Sequence, residues 1–546
     1  MPCTRFASVA LLALAWSGTA LAQRATAPTF TPDEIRADVG FLADDLLEGR
    51  DAGTRGYDIA ARYVAARFAA LGLTQAVKDS WMQPVTLAVA DLDKDSSAAF
   101  TIGGRRFANG GDVMIGAIGR EPQQALAAQA VFVGYGLQSS REKIDDYAGL
   151  DLRGKIAVAL SGAPSGMPSE VAAHLAAEKA FAAQRAGAIG LVTIPSPSLL
   201  ARRPWERLKQ AAGGPTVSWI DSDGKPYVRT PEIRIGGYVH GPAAEALLAG
   251  SGRTLARIYA QASKKGGRPA GFALKPTVKI ERTSTVSTAQ SNNVIAILPG
   301  SDPALAHEYV LLMAHLDHLG AKPDAKGDDK INNGAMDNAS GVATMMAVAK
   351  AFAQTGDRPR RSILFAAVTA EEDGLLGAQY LAKHPVLPAG GKLVGVVNLD
   401  MPMLTYDFQD IVAFGAEHST LGPIVASAAQ AEGVALSPDP LPAEGLFTRS
   451  DHYRFVQEGV PSVFLMTGFA GPGKEAFEAF LATHYHQPSD QADLPIHWDA
   501  AAKFARVNYA IARAIANGDE APRWFKGDFF GDAFAPDAQK ADRERK

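Results

Sequence analysis

The 546-residue chain has a single cysteine, Cys3, which lies among its first few residues. With one cysteine the chain cannot form an internal disulfide, so its stability has to come from burial of apolar surface. A chain of this length with 47% hydrophobic residues can bury a large core. Any metal site in the fold would use nitrogen and oxygen ligands rather than thiolates.

Neither sign of charge dominates the sequence. The chain has 54 Lys and Arg residues against 58 Asp and Glu residues, a formal net charge of −4. Proteins that bind nucleic acid usually have a basic patch or a basic domain. Since no run of aromatic and basic residues is present either, we expect no nucleic-acid partner.

The apolar run near the amino terminus is too short to span a membrane. It covers residues 7–16, whereas a spanning helix needs about 20 apolar residues. Arg5 precedes the run, and Ala20-Leu21-Ala22 follows it, a pattern typical of a signal peptide. We predict cleavage after Ala22, a periplasmic or extracellular protein, and no membrane contact after cleavage. A short membrane anchor is the alternative.

The chain is too long for one ordinary domain, and the pattern of apolar and turn residues changes twice along it. Residues 23–90 show helical periodicity, residues 91–285 contain short apolar runs between glycine and aspartate turns, and residues 286–520 alternate strands with helices. We therefore predict a catalytic domain, 23–90 and 286–520, interrupted by a β-rich inserted domain, 91–285. Residues 521–546 would form a carboxy-terminal extension.

Buried strands are predicted in the second part of the catalytic domain. Residues 293–298 and 309–314 are continuous apolar runs, typical of strands covered on both faces. Helices alternate with them, which indicates an α/β fold with a mostly parallel central sheet flanked by helices.

Polar clusters follow several of these strands. His315, Asp317 and His318 follow the second run, Asp337-Asn338 comes next, and the pair Glu371-Glu372 follows a later strand. In open α/β sheets, sites form beyond the carboxyl ends of the strands. Histidines and carboxylates can hold a divalent metal, and a spare carboxylate can deprotonate water bound to it. The pattern predicts a hydrolase with a metal-activated water.

Each cluster by itself has an ordinary structural explanation. A histidine after a strand is often a hydrogen-bonded structural residue, and Glu371-Glu372 would suit an exposed helix start. Asp337-Asn338 could form a turn, and Asp400 could cap a helix. The combination of the motifs, in one order along the chain, favours a metal site instead.

That order resembles the zinc exopeptidases of the M28 type. The resemblance rests on His-x-Asp, Asp-Asn-Ala-Ser-Gly, Glu-Glu, Asn-Leu-Asp and the Tyr-His pair, and it covers roughly residues 30–90 and 285–520. It implies a zinc-exopeptidase fold. Residues 145–155 resemble part of the protease-associated domain that is inserted in many members of the family.

The resemblance implies a set of metal ligands and a catalytic base. Asp337 would bridge two Zn²⁺ ions, for which cobalt or manganese are alternatives, and Glu371 would be the general base. Asp317 would orient the imidazole of His315. The implied ligands are His315, Asp337, Glu372, Asp400 and His486. His318 and His484 match no ligand position, so we interpret them as residues of the pocket or of its surroundings.

Three further residues are implied to act on substrate. Tyr485 would stabilise the oxyanion, with a packed aromatic ring as the alternative. Arg449 and Asp451, in Arg-Ser-Asp-His, resemble a substrate-side motif, and Arg449 would contact the peptide carbonyl or terminus. A solvated surface arginine is the competing interpretation.

The function implied is a metallo-aminopeptidase acting on peptides with a free amino terminus. The alternatives are a related zinc carboxypeptidase or dipeptidase, a glutaminyl cyclase-like acyltransferase, and a non-enzymatic binding protein on the same scaffold. The cyclases work with one zinc, and the binding proteins lose ligands or the base, whereas this chain keeps both. The sequence gives no indication of oligomeric state.

Overall fold

The computed structural model describes residues 27–94, 98–211, 214–323, 327–356 and 358–543. The predicted signal peptide, residues 1–22 with Cys3, lies outside the described residues. Within the described ranges, no helix combines the length and apolar character that a membrane crossing requires.

The chain begins with two helices that pack on the larger core. The first helix has a proline and two acidic residues in its opening turn. A proline there costs no helical hydrogen bond, and negative charge interacts favourably with the helix dipole. Its buried apolar residues, Ile35, Val39 and Leu42, follow the predicted helical period. The elements are α1 (Pro32–Leu42), α2 (Arg55–Ala70), β1 (Thr74–Gln75) and β2 (Met82–Leu92).

The middle of the chain forms short strands and helices around a second core, which includes Phe100, Phe132 and Ile156. The elements are β3 (Ala99–Ile102), β4 (Arg105–Ala108), β5 (Val113–Met114), β6 (Gln123–Phe132), β7 (Gln138–Ser139), β8 (Ile144–Asp145), β9 (Ile156–Leu160), α3 (Ser169–Ala177), α4 (Lys179–Arg185), β10 (Gly190–Ile194), α5 (Pro197–Arg202), α6 (Trp205–Ala211), β11 (Thr216–Trp219), β12 (Ile235–Val239), α7 (Gly241–Leu248) and α8 (Leu255–Ala262).

One long strand, β13 (Phe272–Leu298), connects the two parts of the molecule. Its residues 272–283 pair with β6, residues 284–294 pair with β2, and residues 294–298 pair with a strand of the central sheet. The middle segment is thus continuous with the central sheet through hydrogen-bonded backbone.

The last part of the chain alternates strands and helices. Its elements are β14 (Glu308–His315), α9 (Ser340–Thr355), β15 (Ser362–Val368), α10 (Leu376–Lys383), β16 (Lys392–Leu399), β17 (Asp410–Phe414), α11 (Leu421–Ala431), β18 (Ala435–Ser437), α12 (His452–Val456), β19 (Ser462–Thr467), α13 (Gly473–Thr483), α14 (Trp498–Asn517) and α15 (Phe529–Phe534).

The central sheet is mostly parallel. Strands β15, β14, β16 and β19 lie side by side and parallel, whereas β13 joins β15 antiparallel and β17 joins β19 antiparallel. Every residue of β14 and β15 is buried, as expected for strands covered by helices on both faces. The predicted α/β class with a mostly parallel sheet is confirmed.

Candidate metal centre and active site

Three neighbouring parallel strands deliver the polar side chains to one edge of the sheet. Strand β14 ends at His315, β15 ends just before Glu371 and Glu372, and β16 ends just before Asp400. The carboxyl ends of parallel strands open a crevice at the same edge. Asp337 precedes α9, and His486 follows α13, so loops bring both residues to this edge.

The first group of candidate ligands surrounds His315. Its Nε2 lies 3.2 Å from Oδ1 of Asp337 and 3.3 Å from Oδ1 of Asp400. His315, Asp337 and Asp400 are all buried. One nitrogen and two carboxylate oxygens at these separations are suited to a divalent ion.

The second group lies on the other oxygen of Asp337. Nε2 of His486 is 3.3 Å from Oδ2 of Asp337 and 3.3 Å from Oε2 of Glu372. Asp337 therefore turns one oxygen toward each histidine. A carboxylate in this position can bridge two ions.

His318 belongs to this second group, although it matches no ligand position in the sequence motifs. Its Nδ1 lies 2.7 Å from Oε1 of Glu372, and with Asp337 the three side chains form a second candidate cation group. The one feature of the sequence that could have indicated this place for His318 is its position three residues after His315. His484, in contrast, is half-buried and its Nδ1 lies 2.9 Å from the hydroxyl of Ser489, and it does not line the cleft.

Unpartnered buried atoms give a reason, independent of the motifs, to expect divalent cations at these candidate ligands. Neither ring nitrogen of His318 nor Oε1 of Glu372 makes a hydrogen bond of sound geometry within the described residues. Burial, together with the nearby Glu372, Asp451 and Asp400 carboxylates, raises the pKa of Glu371 well above its ordinary range, although the charge of His315 opposes the shift. Several buried carboxylates placed this close together need a nearby positive charge to stabilise their ionised forms.

Asp317 positions the loop of the glutamates, and it does so differently from the sequence-based expectation. Nδ1 of His315 lies 3.1 Å from the main-chain oxygen of Asp317, not from its carboxylate. The carboxylate instead accepts hydrogen bonds from the main-chain N–H groups of Glu371, at 3.1 Å, and Glu372, at 3.2 Å. Burial raises the pKa of Asp317 to about 7.

Asp400 is held by residues that the sequence did not single out. The hydroxyl of Ser450 donates to Oδ2 of Asp400 at 2.6 Å, and Nδ2 of Asn398 donates to the Ser450 hydroxyl at 2.7 Å. Such partners fix the orientation of a metal ligand. Asn338 similarly ties its loop to strand β16 by donating to the Leu399 carbonyl at 2.9 Å.

Three residues around the site have positive φ angles, namely Ala370 (52°), Met401 (43°) and His486 (58°). Non-glycine residues adopt this region at a cost and often do so at functional sites. Each one lies beside or at a candidate ligand or the base. The backbone is thus bent where the side chains must converge.

A cleft of about 340 Å³ opens onto the candidate ligands. Tyr485 lines it, with its ring stacked on His486 at a centroid distance of 3.8 Å. The lining also includes seven apolar residues and three charged residues, which we call the rim. The apolar residues are Met401, Leu441, Leu446, Phe464, Met466, Phe477 and Leu481, and the rim consists of Arg203, Glu444 and Arg449.

Asp451 occupies a different place from the one predicted for a substrate contact. Its side chain is fully buried and does not line the cleft. Neither carboxylate oxygen has a hydrogen-bond partner among the described residues. Burial raises the pKa of Asp451 to about 8, with the charge of His315 opposing the shift. Arg449, in contrast, does line the cleft.

The fold and the site together are those of an α/β enzyme with a candidate metal centre at one edge of a mostly parallel sheet. Residues 293–512 match the sequence model described as Peptidase family M28. These residues form a domain of peptidase family M28, and the resemblance inferred from the motifs is confirmed over this range.

Parts of the chain are similar in sequence to known proteins. It is 40% identical over 109 residues to a probable zinc metalloprotease of Pyrenophora teres f. teres, covering 20% of this chain and 22% of that protein. It is 30% identical over 193 residues to a probable leucine aminopeptidase 2 of Aspergillus oryzae, covering 33% and 34%. The alignments thus span about a fifth to a third of the length of these curated relatives.

The architecture also has a counterpart among solved structures. An aminopeptidase from Aneurinibacillus sp. strain AM-1 superposes with a TM-score of 0.50 at 19% identity, covering 89% of this chain and 93% of that one. At this identity, the likeness concerns the fold alone.

Proposed function

We propose that the protein is a metallo-aminopeptidase that holds two zinc ions and removes residues from the amino terminus of peptides. The observation that carries the proposal is the position of Asp337, whose two carboxylate oxygens lie 3.2 Å and 3.3 Å from His315 and His486. His315, Asp337 and Asp400 would hold one ion, and Asp337, Glu372 and His486 the other. His318 contacts Glu372 and completes the second group.

Bound ions would polarise the scissile carbonyl and lower the pKa of an attacking water. Glu371 lines the cleft but belongs to neither candidate ligand group. It is therefore available to accept a proton from the water and to return it to the leaving amine. Because Asp317 holds the main-chain N–H groups of Glu371 and Glu372, the base and the ligand stay in fixed relative positions.

Tyr485 is proposed to donate a hydrogen bond to the oxyanion. Burial and the nearby Asp337, Glu372 and Glu371 carboxylates raise the pKa of Tyr485 above its ordinary value, which keeps the phenol protonated as a donor. Arg449 is proposed to contact the substrate main chain from the rim of the cleft.

We further propose that residues 91–285 form a protease-associated domain inserted in a catalytic domain of residues 23–90 and 286–520. The separate apolar core of the middle segment supports this division. Removal of residues 1–22 would release the protein into the periplasm or the medium.

A carboxypeptidase is the second candidate, because arginines line the cleft and could hold a carboxylate beside the scissile bond. The discriminating experiment uses residues 23–546 and matched peptides with free or acetylated amino termini, assayed with and without a chelator. We expect cleavage of the free-amine peptides only, lost on chelation and restored by zinc. Equal cleavage of acetylated peptides would favour the carboxypeptidase.

Variants assign the roles within the site. Glu371→Gln should bind two zinc ions per chain, measured by elemental analysis, while its turnover falls by at least about 100-fold, a typical loss for a general base. His486→Ala should retain fewer ions than the unaltered protein. The exposed Glu475, on α13, provides the matched control, and Glu475→Gln should change neither quantity.

A further inference from the structure

The middle segment contributes an unpaired arginine to the active-site cleft. Arg203 follows α5 and lines the cleft together with His315, Asp337 and Glu371. Its side chain makes no hydrogen bond or ion pair within the described residues, and the residue is exposed. No step in the proposed peptide hydrolysis uses this guanidinium.

The surroundings of Arg203 are positively charged overall. Glu444 is shared between two arginines, with its oxygens 3.6 Å from Arg202 and 3.4 Å from Arg449. Arg202 and the rim thus supply three cations and one carboxylate. Arg203 has no carboxylate of its own, and a rim with this charge attracts an anionic group on a ligand.

The size of the cleft limits what that ligand can be. At about 340 Å³, it lies near the lower end of the range for small-molecule sites. The candidate metal ligands and two arginines, Arg203 and Arg449, line this one cavity, so a single small ligand can contact both. For a peptide held by its amino terminus, the group that reaches the arginines is a few residues away.

We propose that Arg203 and Arg449 bind the free carboxylate of a short peptide, so that the enzyme acts preferentially on peptides of two or three residues. This inference rests on the proposed aminopeptidase function and specifies its substrate class. The planar guanidinium fork suits a carboxylate, which it can bind through two parallel hydrogen bonds. Because Arg203 comes from the middle segment, that segment would determine the substrate length.

The test compares Leu-Gly-Gly with its carboxy-terminal amide on the zinc-loaded protein. We expect the acid to be favoured in kcat/KM, mainly through KM, because the contact lies away from the reacting bond. Arg203→Ala should reduce the ratio of kcat/KM for acid over amide by about tenfold, the scale of one charge-assisted contact. Arg207→Ala removes the same charge from the neighbouring helix α6, outside the cleft, and should leave the ratio unchanged.

A second peptide separates the two sources of a carboxylate. Leu-Glu-amide has a side-chain carboxylate and no free carboxy terminus. If it were bound as well as Leu-Gly-Gly, and lost as much on Arg203→Ala, the short-peptide assignment would be wrong. Weak use of Leu-Glu-amide together with strong use of Leu-Gly-Gly would support it.

Binding measurements keep this test independent of turnover. Calorimetry on zinc-loaded Glu371→Gln protein should give a lower Kd for Leu-Gly-Gly than for its amide, and the added substitution Arg203→Ala should abolish the difference. Equal Kd values before that substitution would overturn the proposal. Cleavage of acetylated Leu-Gly-Gly with the acid preference intact would refute the aminopeptidase function while leaving the arginine site in place.

Discussion

The main-chain N–H of Asp337 donates a 3.0 Å hydrogen bond to the carboxylate of Asp490. The other oxygen of Asp490 accepts from the N–H of Met336 at 2.9 Å. Asp490 thus fixes the loop that holds the central carboxylate of the site, from a position more than 150 residues away in the chain. Burial raises the pKa of Asp490 to about 7, although these two hydrogen bonds oppose the shift.

Replacement of Asp490 by asparagine should weaken metal binding. The amide has nearly the same shape but turns one N–H₂ group toward a main-chain N–H donor, so one of the two hydrogen bonds is lost. We expect zinc affinity to fall by about 10- to 100-fold, the usual effect of losing a residue that orients a ligand. Competition with a chelator measures this change.

The neighbouring Asp493 provides the control, because it is exposed and close in sequence. Asp493→Asn should leave zinc affinity within about twofold, as for a surface change away from the site. Unaltered affinity in Asp490→Asn would show that the Asp337 loop holds its shape without this carboxylate.

Arg50 joins the segments around the site from within the core. It is 1% exposed and donates to four main-chain carbonyls. Burial lowers its pKa to about 10, with the nearby carboxylates, Asp490 foremost, opposing the shift. It therefore stays charged at neutral pH. The accepting residues are Leu42, Leu316, Asn333 and Gly334.

We expect Arg50→Lys to reduce the free energy of unfolding by about 3 kcal/mol, because a single ammonium nitrogen cannot reach carbonyls distributed around a planar fork. Denaturant unfolding at about pH 7 measures the change, because arginine and lysine side chains are both charged at that pH. The exposed Arg55 is the matched control, and Arg55→Lys should stay within about 0.5 kcal/mol. A loss as small as that of the control would contradict this role for Arg50.

His418 links three segments through buried ion pairs. Its Nε2 lies 2.7 Å from Glu170 on α3, and its Nδ1 lies 2.7 Å from Asp528 in the carboxy-terminal segment. Glu417 adds a further carboxylate nearby, and Arg543 lies 3.6 Å from Asp528. Burial opposes protonation, but the bonds to Asp528 and Glu170 outweigh it and raise the pKa of His418 to about 10.

Replacement of His418 by glutamine should therefore destabilise the protein in a pH-dependent manner. A histidine whose pKa is raised on folding contributes its full stabilisation below its unfolded pKa of about 6.5 and loses it as the pH rises through about 10. We expect a loss of about 3 kcal/mol near neutral pH, since two buried carboxylates lose their partner.

The measurement is the difference in unfolding free energy between the unaltered protein and His418→Gln from about pH 6 to pH 10.5, a range that brackets the pKa values involved. The difference should shrink toward the alkaline end. A difference that stays constant with pH would show that the imidazole is not charged in the folded protein. His307→Gln, at a histidine outside this cluster, is the control and should show no such trend.

The candidate ligands His315, Glu372 and Asp400 could be predicted from the sequence because each lies in a short contiguous motif after a buried strand. Asp337 and His486 also lie in short motifs, although loops bring them to the site. The apolar runs 293–298 and 309–314 correspond to strands of the central sheet, as strands buried on both faces must be apolar throughout. Parallel strands then bring their following residues to one edge. For the same reason the mostly parallel α/β fold could be predicted.

Long-range contacts could not be predicted in this way. The carboxylate of Asp317 binds the loop of the glutamates rather than the imidazole of His315, and Asp451 is buried away from the cleft. Both residues lie in recognisable motifs, but a motif specifies only which residues are close along the chain. The direction of a side chain depends on what packs around it.

The sequence by itself thus determined the class of fold and the candidate set of nitrogen and oxygen ligands, since these depend on local periodicity and short motifs. Only the tertiary structure decided that His318 lies in the second candidate cation group, that Asp490 and Arg50 hold loops of the site, and that Arg203 lines the cleft. These residues come from segments far apart in the chain, and only the packing of the folded molecule brings them together.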